Sequence, residues 1–198
     1  MKTKEISVSS YGSGMKEALD TTEALGREAG LSEKEELRLR LLAEELFGMV
    51  KAITGEAEAL YWAEREEKKF SLHLKVDTEM NKAMRRQLLS VSSSGENAAA
   101  KGFMGKLLDV ISTALSPKDE ETAALLSVGM MNLGATGSSA ACVWSMQQYK
   151  TQMEAVLDLP EAREAWDELE KSIVAKLADE VSVFIRGGGV ELVIDKAF

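Results

Sequence analysis

Few residues in this chain could carry chemistry, and their spacing decides what that chemistry would be. Glu44 and Glu45 fall within a continuous 3.6-period apolar pattern, so a helix would carry the two carboxylates side by side at the border of its apolar stripe. Four residues further on stand Gly48 and Met49, neither of which offers oxygen to a hard cation. Asp77 closes a strand-like run. Lys101-Gly102-Phe103-Met104-Gly105-Lys106 sets two glycines between lysines, a pattern whose backbone N–H groups can hold phosphate. Small residues at a helix crossing explain Gly102 and Gly105 at least as well.

The remaining candidates exclude more than they offer. His73 is the sole histidine, so no Ser/His/Asp or Cys/His set can be assembled around it. Its place in an alternating strand puts it on the polar face, where it reads as a solvated surface residue. Cys142 has no partner for an internal disulfide. Gly129 to Gly137 lacks the Gly-Lys-Ser/Thr of a phosphate loop, and Ser90 to Ser94 reads as an ordinary polar loop rather than a phosphorylated helix start. Met130, Met131 and Met146 read first as core filling, and second as the lining of a small-molecule pocket.

The elements that must position these groups follow from periodicity. Residues 4–9 alternate as a strand and Tyr11-Gly12-Ser13-Gly14 turns it. A helix follows over 15–29, closed by Gly30, with Leu19, Thr22, Leu25 and Ala29 on its buried face. Ser32 and Glu35 form a capping box that opens a second helix, whose Leu39, Leu42, Leu46, Met49, Val50 and Ile53 make one stripe up to Gly55. Runs 59–64 and 69–76 form a hairpin, with Phe70, Leu72, Leu74 and Val76 on one side. Helical patterns then occupy 80–89, 97–115, 119–133 and 138–157. A last helix starts at Asp158 and Pro160, buries Ala162, Trp166, Leu169, Ile173 and Leu177, and leads into a hairpin of 181–185 and 190–194 around three glycines. Trp62, Trp144 and Trp166 are placed for core or interface burial.

Composition narrows the class. With 198 residues, 45% hydrophobic and 29% charged, the chain can bury one sizeable core. The net charge of −9 is spread over mixed helix faces, including Glu33, Glu35, Glu36, Arg38 and Arg40, which disfavours nucleic acid as a partner. Residues 122–149 carry no charge, but their Asn, Gln, Gly, Ser and Thr content argues against a membrane span and for two closely packed helices broken near 134–137. A cytoplasmic setting is expected.

Strands at both ends with helices between must share a sheet, which makes a two-layer α/β sandwich the expected fold. This order resembles the GHKL ATPase superfamily, the histidine-kinase-like ATP domains, and within it the bacterial anti-sigma factor kinases, over roughly 4–89 and 171–196. Arg40 to Val50 is similar to that family's ATP-site helix. The resemblance implies a single α/β domain spanning 1–198, a mixed and mostly antiparallel sheet covered by helices, and a helical insertion at about 95–158.

In the family, that helix carries Glu and, four residues later, an Asn that holds Mg²⁺; here the pairs are Glu44 with Gly48 or Glu45 with Met49. A later Asp-x-Gly-x-Gly turn reads adenine; here it is Asp77-Thr78-Glu79-Met80-Asn81, with the Asp kept and both glycines replaced. The glycine-rich lid would correspond to Gly102 and Gly105. The resemblance therefore implies a catalytically degenerate regulatory module that binds a protein partner, with a homodimer allowed. It has no catalytic residue, no metal and no cofactor, and Glu44, Glu45, Gly48, Asp77, Gly102 and Gly105 are vestiges of a nucleotide site. The alternative is an active Mg-ATP-dependent serine/threonine kinase with Glu44 or Glu45 as base and Asp77 on adenine. A small-molecule sensor is the third reading.

Overall fold

The computed structural model describes residues 1–9, 11–54, 58–77, 141–186 and 189–198. In chain order the elements are β1 (Ile6–Ser9), α1 (Met15–Glu28), α2 (Glu33–Thr54), β2 (Glu58–Glu66), β3 (Lys69–Asp77) and β4 (Ala141–Ser145). They continue with α3 (Met146–Glu154), α4 (Pro160–Lys171), α5 (Ile173–Leu177), β5 (Glu180–Arg186) and β6 (Gly189–Ala197). Six strands make one open sheet in the order β1-β2-β3-β6-β5-β4, and every pairing in it is antiparallel. The two hairpins, far apart in sequence, are joined by nine aligned pairs between β3 and β6, from Lys69 opposite Ala197 to Asp77 opposite Gly189. Among the described residues no helix is long and apolar enough to cross a membrane.

Period-two alternation decides which side of the sheet is covered. Phe70, Leu72, Leu74 and Val76 face the helices with Tyr61, Ala63, Val181, Val183, Val190, Leu192 and Ile194, all buried. From the other side come Leu39, Leu42, Leu46 and Met49 of α2, each at most 1% exposed, with Ala18 and Leu25 of α1. Burying a leucine or methionine side chain contributes roughly 1.5–3 kcal/mol, so this α2 stripe is the main tie between helix and sheet.

Caps explain where the helices stop and start. Gly30, at φ 69, donates to Arg27 O, and Leu31 N reaches back to Gly26 O, which is a Schellman closure of α1. At the start of α2, Glu35 accepts from both the backbone N–H and the hydroxyl of Ser32, at 2.8 and 2.6 Å. These two bonds hold the Glu35 carboxyl below its ordinary value of 4.5. A depressed folded-state value means that this stabilisation is complete above the ordinary glutamate range and is lost as pH falls through the folded value. Glu35→Gln, which keeps an acceptor for Ser32 N–H, is expected to flatten the dependence of the unfolding midpoint on pH below 4.5, its loss of stability being present at neutral pH and vanishing in acid.

One polar link crosses the core. Thr22 donates its hydroxyl hydrogen to Ala18 O at 2.8 Å, so Tyr61 is the donor in the 2.6 Å bond between Tyr61 Oη and Thr22 Oγ1. Burial pushes the Tyr61 phenol far above its usual range. Thr22→Val strands the Tyr61 hydroxyl without an acceptor and is expected to lower stability by about 1–2 kcal/mol. Tyr61→Phe should cost about 1 kcal/mol, and the double variant less than the sum, as read from urea midpoints.

Two sequence expectations are corrected. The helix expected over 138–157 begins only at Met146: Ala141–Ser145 is instead a strand that pairs with β5 at the edge of the sheet, with a bulge between Cys142 and Trp144. Its Val and Trp suit a pleated, half-covered surface, and Trp144 is 8% exposed there. The single last helix is two, because Ser172 leaves helical geometry at ψ 129 and caps a new turn at Ala175 N. The break shifts the buried register, so Val174 and Ala178 are covered while Ile173 is 48% exposed and Trp166 is half-buried. The patterns at 80–89, 97–115 and 119–133 lie outside the described residues, as do Ser90 to Ser94, Gly129 to Gly137, Met130 and Met131.

Candidate functional site

The outward face of α2 gathers most of the described candidates. Glu44 and Gly48, one helical turn apart, both face solvent, and Glu45 is half-buried on the flank beside them. A Cβ placed on Gly48 would meet nothing within 4 Å. Met49 turns the other way, 1% exposed in the core. Asp77 is the last residue of β3, in backbone register with Gly189. Glu79, Asn81, Gly102 and Gly105 lie outside the described residues.

Glu44 is already engaged. Arg40 Nε donates to Glu44 Oε1 at 2.9 Å, while Arg40 Nη1 binds Glu23 of α1. Glu23 first and Glu44 second raise the Arg40 pKa further. Arg27 extends the network to Glu23 and Glu36 at 3.7 and 4.0 Å. The i,i+4 spacing of Arg40 and Glu44 is visible in sequence, but the cross-helix partner Glu23 is not. A base at Glu44 would have to act with one oxygen held by a guanidinium.

The opposite face of the sheet holds the histidine. His73 does lie on the face away from α1 and α2, yet it is no solvated residue: its side chain is 14% exposed and its ring stacks on Trp62 at 4.7 Å, 8° from parallel. His73 Nδ1 is 2.9 Å from Glu191 Oε1, and Glu191 is 3% exposed. Lys2 Nζ lies 4.5 Å from the centroid of the Trp62 ring. Sequence reasoning missed this because Glu191 is remote along the chain and meets His73 only through the pairing of β3 with β6.

Orientation of an imidazole by a carboxylate is the arrangement of a general base, with the far nitrogen free to act. Here His73 Nε2 is buried without a hydrogen-bond partner, and Glu64 Oε1 lies 4.0 Å away. That carboxylate oxygen accepts from Trp62 Nε1 at 3.0 Å and has no proton to yield. Among the described residues no three of His, Cys, Asp and Glu converge to hold a metal ion.

No family model, curated protein or solved structure matches this chain. The site must therefore be judged on its own groups. A depression of 590 Å³ at the β2–β3 turn is lined by both signs of charge, including Arg65, Lys69, Asp179 and Asp195. Met146, read as core filling, is buried in the main core.

Proposed function

We propose that this chain is a catalytically degenerate GHKL-like module that regulates by binding a protein, in the manner of the anti-sigma factor group, without nucleotide chemistry. One observation carries the reading. Four residues beyond each candidate glutamate of α2 there is no oxygen donor: Gly48 has no side chain, and Met49 is packed in the core. The arginine on Glu44 supports it further. Its fold side is supported by the order of elements, with a strand, two helices and a hairpin sharing one antiparallel sheet with a C-terminal hairpin.

Titration with Mg-ATP during thermal unfolding tests the absence of nucleotide binding. A true ligand at a hundredfold excess over Kd would stabilise by about 2.7 kcal/mol, and no shift is the expected result. A clear shift overturns the reading and restores the kinase, in which case Asp77→Asn should abolish it. The partner-binding half expects a stoichiometric protein complex that forms in nucleotide-free buffer.

A further inference from the structure

The solvent face of α2 is uneven in a way that core packing does not explain. Helical spacing puts Lys34, Leu37, Leu41, Glu44 and Gly48 along one stripe, with Arg38 and Glu45 on the same flank of it. Leu37 is 56% exposed, and a Cβ built on Gly48 would meet nothing within 4 Å among the described residues. Lys34, Arg38 and Glu45 make no ion pair with any described residue, although Arg40 and Glu44 beside them are paired. The stripe thus has a bulky apolar knob and an unpaired cation in its first half, and a gap and an unpaired anion in its second.

Such a face complements itself when reversed. We propose that α2 docks antiparallel against α2 of a second copy of this chain, Leu37 of each copy seated over Gly48 of the other and Arg38 paired with Glu45. In an antiparallel helix pair, residues on one flank meet the same flank of the partner, so Arg38 and Glu45 meet twice about the twofold axis. The missing side chain at Gly48 lets the backbones approach where Leu37 enters. Unlike charges at both flank contacts favour this antiparallel register, whereas a parallel arrangement would turn each flank to the partner's opposite flank and leave Arg38 and Glu45 without each other. One helix face is smaller than a standard interface, so the dimer is weak and salt-sensitive. This inference shares a helix with the proposed function but does not rest on it, because dimerisation and nucleotide binding are measured separately.

Sedimentation equilibrium of the full chain, from micromolar to millimolar concentration and at low and high salt, is the test. A reversible monomer–dimer equilibrium that weakens with salt is expected. Arg38→Glu and Glu45→Arg should each weaken it by roughly tenfold or more, and the two together should restore it. Gly48→Gln, whose Cβ would meet nothing within 4 Å among the described residues, should weaken it as well. The three positions face solvent or lie at its margin, and unchanged thermal unfolding of each variant checks that the fold survives. A monomer at every concentration overturns the proposal. So does a dimer indifferent to Arg38→Glu, or one that the paired charge reversal fails to restore.

Discussion

Gly14→Ala is expected to destabilise this protein by about 3 kcal/mol or more. Gly14 caps the start of α1 at φ 71, where an L side chain already costs about 1–2 kcal/mol. A Cβ there would stand 1.9 Å from the carbonyl oxygen of Ser7 and 3.0 Å from its carbon. Those are backbone atoms of β1, paired to β2 through Ser7 and Leu60, so relief requires moving either the edge strand or the helix start. Gly12 is the internal control. It has φ 95 but nothing within 4 Å of a Cβ, so Gly12→Ala should show the conformational term alone, about 1 kcal/mol. Urea midpoints of the two variants measure the difference. A Gly14→Ala protein within 1 kcal/mol of Gly12→Ala would mean that β1 and α1 do not approach as closely as described.

The same two glycines show where sequence reading stops. Tyr11-Gly12-Ser13-Gly14 marks a turn, because glycine is the residue that tolerates positive φ without penalty. Which glycine also makes room for a neighbouring strand depends on where Ser7 lies, and that is set by pairing with β2. The α1–α2 unit was legible for a related reason. Its stripe from Leu39 to Met49, its Gly30 stop and its Ser32–Glu35 cap are all local, and each reappears in the structure as a named bond or a buried face, while the side chains of Val50 and Ile53 lie outside the described residues. Both hairpins were legible too, since alternation and turn residues lie side by side in the chain.

What failed was non-local. Ala141–Ser145 carries a helix-compatible pattern, but an open edge of β5 offers ladder bonds that local propensity cannot anticipate. His73 was assigned to the correct side of its strand and the wrong environment, because period two says which way a side chain points and not what covers it. For the candidate site the lesson runs the other way. The types of Glu44, Gly48 and Met49 were enough to doubt a metal-dependent role, and the structure adds that Met49 faces the core and that Arg40 occupies Glu44. Both agree with the spacing, which sets Met49 on the apolar stripe and Arg40 one turn before Glu44; the cross-helix partner Glu23, which holds the other end of Arg40, is not readable from it.

Glu180→Ala is expected to lower stability by about 2–3 kcal/mol, although nothing in the sequence singles this residue out. Its Oε1 accepts from the backbone N–H groups of Met146, Gln147 and Val181 at 2.8, 3.2 and 2.8 Å, and its Oε2 from Ser145 Oγ at 2.9 Å. Two of those N–H groups are unsatisfied donors of the first turn of α3, and the helix dipole there favours a negative charge. One carboxylate at the start of β5 therefore fixes the corner at which β4 stops being sheet and α3 begins. Glu180→Gln separates the contributions. The amide keeps an acceptor for the N–H groups, and the Ser145 hydroxyl can rotate to accept from the new NH₂, so only the charge–dipole term of about 0.3–1 kcal/mol should be lost. Amide exchange at Met146 and Gln147 supplies the local readout. It should accelerate in the alanine variant and stay close to wild type in the glutamine one. Equal losses for the two variants would assign the effect to charge rather than to hydrogen bonding, and the corner would then be held mainly by β4 pairing with β5.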